Sequence, residues 1–91
     1  MTIQQRFEEF HAEHPEVYDK LCELARAVKA RGFNQMGIAL LYERARWFYT
    51  FEIANTDYKL SNDFRSRYAR LIMQREPDLA DFFTTRELTA A

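Results

Sequence analysis

Cysteine occurs once, at position 22, so no disulfide can form within this chain. Glycine and proline occur twice each, which leaves little room for tight turns and points to a globular, mainly helical chain. Serine is also scarce: Ser61 and Ser66 are the two present, and neither stands in a nucleophile elbow. There is no glycine-rich phosphate loop and no run of 18 apolar residues, and no charged-then-apolar leader opens the sequence. These absences disfavour enzymes of the common nucleophile and nucleotide-binding types, and the expectation is a soluble, reduced, cytoplasmic protein. What is abundant is aromatic: eight Phe, five Tyr and one Trp in 91 residues, within a hydrophobic share of 47%. A chain of this length is expected to form a single domain with one core, burying about 60 to 65% of the surface it exposes when unfolded.

Cap chemistry divides the chain into helices. Thr2 with Gln5 three residues on forms a capping box, and Ile3, Phe7 and Phe10 follow on one face, predicting a helix to about Ala12. Pro15 at a first helical position opens a second helix with stripe residues Val17, Leu21, Leu24 and Val28, closed by Gly32. A third helix is expected from about Met36 to Phe48 on Ile38, Leu41, Ala45 and Phe48, close enough to the second to give a helix-turn-helix pair. Beyond Trp47 the run YTFEI alternates like a strand. The expectation is a short β-hairpin with Tyr49, Phe51 and Ile53 on one side, Ala54 to Asp57 turning, and Tyr58 to Leu60 returning. The aromatic group Trp47, Phe48, Tyr49 and Phe51 is read as core. Ser61 to Asp63 then cap a fourth helix with Phe64, Tyr68, Leu71 and Ile72 on its apolar stripe, ending before Pro77. A last short helix carries Leu79, Phe82 and Phe83, and the end beyond Glu87 is expected to fray.

Charge is unevenly spread although the net value is −1. Residues 1–25 carry six acids and two bases, residues 26–75 ten bases and four acids, and residues 76–91 four acids and one base. The fourth helix and its approach concentrate the cations Lys59, Arg65, Arg67, Arg70 and Arg75 around the single acid Asp63. Such a stretch suits phosphate contacts. On charge counting alone it equally suits acidic ends folded back on a basic middle. The candidate binding residues are Lys59, Ser61, Asn62, Arg65, Arg67, Arg70 and Arg75, joined by Arg44 and Arg46 of the third helix. Asp63 and Arg67 stand at i, i+4 spacing for a local pair. His11 and His14 have a metal-like spacing, yet Pro15 places His14 at a helix boundary and no ligand cluster completes a site; no metal or cofactor is expected. Cys22, beside Leu21, reads as a small packed hydrophobe.

Three segments, FEEFHAEHPEVYDKL, LYERARW and YKLSNDFRSRYARLIMQREPDLADFFTTREL, resemble a group of small proteins encoded by bacteriophages and prophages. The shared positions are Phe10, His11, Pro15, Val17, Tyr18, Arg46, Trp47, Lys59, Leu60, Asn62, Arg67, Tyr68, Ala69, Arg70, Pro77, Phe83 and Arg86, with Ser61 in place of a more usual Asn. The resemblance implies a phage origin and a winged-helix-like fold. The residues themselves support two functions, the first placed ahead of the second. One is a DNA-binding regulatory protein working through the basic helix; the alternative is a non-catalytic inhibitor that engages a host protein complex, as an anti-CRISPR does.

Overall fold

A computed structural model describes residues 1–53 and 58–84, and the chain is mainly α-helical. Helix α1 spans Ile3–Glu13 and helix α2 spans Pro15–Ala30. The Thr2 hydroxyl accepts from the Gln5 N–H at 3.1 Å while the Gln5 side chain accepts from the Thr2 N–H at 2.9 Å, which completes the capping box. At the other end of α2, Gly32 takes a φ of +100°, where a side chain would be strained, and its N–H donates to the Lys29 carbonyl. Strand β1, Met36–Gly37, leads into α3, Ile38–Trp47, so seven residues rather than a tight turn separate α2 from α3. A 3₁₀ turn at Asn62–Phe64 opens α4, Arg65–Arg75, and a second at Pro77–Leu79 leads to strand β2, Phe83–Thr84. The strands pair in parallel, Met36 opposite Phe83 and Gly37 opposite Thr84. Phe83 therefore belongs to a strand and not to a last helix, because the Phe82 carbonyl is claimed by the Met36 N–H.

The expected hairpin is not there. Residues Phe48–Glu52 continue α3 as a π-helical turn, with the Ile53 N–H donating to the Phe48 carbonyl at 3.0 Å, and Tyr58 to Leu60 form no strand. The proposed turn at 54–57 lies outside the described residues, as does the end beyond Glu87. With its first strand helical, the wing of a winged-helix arrangement is missing among the described residues. Burial explains the choice. As a helix the segment turns Tyr49 into the core, where its hydroxyl donates to the Glu16 carbonyl at 3.0 Å.

The core is one cluster drawn from every helix: Phe7 of α1, Val17, Tyr18, Leu21, Cys22 and Ala25 of α2, Ile38, Leu41, Tyr42 and Ala45 of α3, and Tyr68, Ala69 and Ile72 of α4. The stripe on α2 is rotated from the expected one. Tyr18, Cys22 and Ala25 are buried, whereas Leu24 and Val28 only border the core. On α4, Ile72 is buried and Leu71 is half-buried. Burial pushes the Cys22 thiol up to about 11, so it is protonated at neutral pH and behaves as a packed apolar group.

A polar clamp joins α2 to the α4–β2 connection. Arg26 donates to Glu76 at 2.6 Å and to Asp78 at 2.9 Å, the Tyr18 hydroxyl donates to Glu76 at 2.8 Å, and Lys29 donates to the Asp78 carbonyl. The hydrogen bonds from Tyr18 and then Arg26 hold the Glu76 carboxyl below its ordinary 4.5, and those from Arg26 hold Asp78 below 3.8. A carboxylate favoured in its charged form contributes its full stability above the unfolded value, and that contribution is lost as pH falls through the lowered folded value. Thermal stability is therefore expected to drop from about pH 4.5 downward, and to drop less steeply in Arg26→Ala. Equal acid slopes for the two proteins would remove the clamp from this account.

Candidate interaction site

The nine residues singled out by charge and capping do not form one surface. Arg46 is a structural tie. Its guanidinium donates to Glu43 at 2.6 Å, to the Leu60 carbonyl at 3.0 Å and to the Asn62 side chain, and lies 5.4 Å from the centre of the Tyr42 ring. Together with the Tyr42 hydroxyl, which donates to the Ser61 carbonyl at 2.5 Å, it fastens residues 60–62 to α3. Asn62 is thus an anchor. Ser61 is the cap, its hydroxyl accepting from the Asp63 N–H at 3.2 Å. Arg44 is paired with Glu52 at 3.2 Å, and Arg75 reaches His11 Nε2 at 3.3 Å while lying over Tyr18.

Within α4, Arg65, Arg67 and Arg70 are half-buried and not fully solvated. Arg67 donates to the Gln4 side chain at 3.1 Å and to the Asp63 backbone carbonyl at 3.3 Å, so the expected pair with the Asp63 carboxylate does not form. That carboxylate instead faces Arg6 at 3.9 Å. Lys59 is exposed and shares a shallow depression with Arg6, Glu9, Glu13 and Phe64, which brings acids of α1 next to the basic segment. The acidic last segment does fold back on the basic middle: Arg26 meets Glu76 and Asp78. The histidines separate as well. His11 stacks on Phe7 and contacts Tyr18, with burial and then Arg75 lowering its pKa, while His14 lies 3.9 Å from the Tyr58 ring and 3.4 Å from Glu16. Among the described residues no group of three His, Cys, Asp or Glu could hold a metal ion.

What the sequence reading missed is on the outside of α3. Tyr49 is buried and Phe48 half-buried, as expected for core aromatics, but Trp47 is 57% exposed and Phe51 69% exposed. Their rings touch each other at 4.6 Å between centroids. Leu40, 64% exposed, stands two turns before Trp47 on the same side. Ile38, Leu41, Tyr42 and Ala45 face the core, so α3 and its π extension are apolar on two opposite faces. The sequence did hold this signal: Leu40 and Trp47 are seven residues apart, with Phe51 four beyond, out of phase with the core stripe. The charged rim is balanced, Arg44 with Glu52 and Arg46 with Glu43. No helix among the described residues is long and apolar enough to cross a membrane. No protein-family model matches the chain, and no curated protein or solved structure is significantly similar to it.

Proposed function

We propose that this chain is a non-catalytic protein-interaction module that holds a protein against the outer face of α3. The observation that carries this reading is the exposed row Leu40, Trp47 and Phe51 on a helix whose other face already fills the core. Exposed aromatic residues beside an arginine are the composition of interface hot spots, and the touching pair Trp47 and Phe51, in water on a small domain, suits a surface that is covered in use. The neutral rim fits a protein better than a polyanion. An inhibitor that engages a host protein complex, the alternative function weighed from the sequence, needs a module of this kind.

DNA binding keeps one specific support. Lys59 and Arg65 make no ion pair among the described residues, and Arg67 donates to neutral acceptors, so these three charges are not cancelled by direct carboxylate contact. One experiment separates the two readings. A photo-crosslinking amino acid is placed at Phe51 in one variant and at Arg65 in another, and both are irradiated in bacterial cells. Discrete protein adducts at position 51 that survive nuclease are expected. Adducts confined to position 65 and removed by nuclease would replace the protein reading with the nucleic-acid one.

A further inference from the structure

We infer that the protein held by the outer face of α3 is a second copy of this chain, packed antiparallel about a two-fold axis beside Trp47 and Phe48. The inference rests on the interaction reading above and names its partner. Three observations converge on it.

The first is the arrangement of charge. Arg44 and Glu52 flank the apolar row on the same edge, since they are hydrogen-bonded at 3.2 Å. They are eight residues apart, about 12 Å along the helix. A two-fold axis lying in the contact plane and crossing the helix near residue 48 reverses the helix direction but keeps each residue on its own edge. It therefore sets Arg44 of one copy against Glu52 of the other, twice. Each of the two groups already has its partner within the chain, and a second copy adds the complementary pair across the contact by symmetry.

The second is the apolar row itself. The same axis passes beside the Trp47–Phe51 contact and lays each Trp47 against the aromatic end of the other helix. The Trp47 and Phe51 rings then leave water. The third is neutrality. Around the row Glu43 and Glu52 balance Arg44 and Arg46, so two copies approach without the repulsion that two basic faces would feel. A host complex, on this view, meets a dimer through its remaining faces.

Charge reversal tests the register. The full chain is expected to sediment as a dimer. Arg44→Glu would oppose two pairs of glutamates, and Glu52→Arg two pairs of arginines, so each variant alone is expected to dissociate at least about tenfold more readily. Mixing the two variants restores both attractive pairs and is expected to bring back a dimer containing one of each. The double variant is expected to dimerise by itself. Trp47→Ser tests the apolar row and should leave a folded monomer, checked by circular dichroism.

A wild-type chain that stays monomeric, or a dimer indifferent to Trp47→Ser, overturns the inference, and so does failure of the mixture to recover. Failure of the underlying reading looks different. A monomer whose position 51 still crosslinks to another protein leaves the interaction module standing, whereas the absence of any protein adduct there removes both.

Discussion

Leu21→Ala is expected to lower the unfolding free energy by about 2 to 5 kcal/mol. Leu21 is fully buried at the centre of α2, among residues drawn from all four helices, and a truncated side chain would leave a cavity that rigid neighbours cannot refill. Leu71→Ala makes the comparison informative. Its position on the apolar stripe of α4 suggested an equal loss, but it is only half-buried, the buried place being taken by Ile72. It is expected to cost less than about 2 kcal/mol. Urea titration of the two variants decides the matter. Equal losses would mean that Leu71, and not Ile72, faces the core.

Arg46→Ala is expected to destabilise the protein by about 1 to 3 kcal/mol, because it leaves the Leu60 carbonyl and the Asn62 side chain without their shared donor. Arg46→Lys is expected to recover only part of this, since an ammonium is a point charge and cannot present the guanidinium fork to Glu43, Leu60 and Asn62 together. Amide exchange at Leu60 and Phe64 should quicken in both variants before the helices open. A purely surface arginine would instead move stability by less than about 0.5 kcal/mol, and that result would return Arg46 to the list of binding residues.

Legibility in the sequence followed the range of the interactions. Thr2 with Gln5, Pro15, Gly32, Ser61 and Pro77 act within one helical turn of themselves, and each marks an end where the structure has one. The contacts that assign roles to charged residues act over far longer separations. Arg26 reaches Asp78 52 residues away, Arg67 reaches Gln4 across 63, and Arg75 reaches His11 across 64. Counting cations along α4 could not reveal which of them the fold had already engaged. The stretch from Trp47 to Ile53 failed for another reason. Its aromatics fit a period of two as well as a helical one, and the competition was settled by Tyr49 finding the Glu16 carbonyl on α2. That same helix then exposed Trp47 and Phe51, which large aromatic side chains in so small a chain would not be expected to do.

The π turn bears on how this surface tolerates insertions and deletions. Position 52 lies seven residues after Ala45 and three after Tyr49, both buried, so uninterrupted α winding would carry the Glu52 carboxylate onto the core face. A π turn holds roughly one residue more than an α turn. It thereby sets Glu52 back by one place, beside Arg44 and in water. The helix consequently contains one residue of slack, confined to Phe48–Glu52. Loss of a single codon at exposed Thr50 would draw that slack in and leave Glu52 where it stands. The same loss at Glu43, upstream of the slack, would turn the row carrying Trp47 about 100° around the axis. Gene-length variation is therefore absorbed on one side of Trp47 and disruptive on the other.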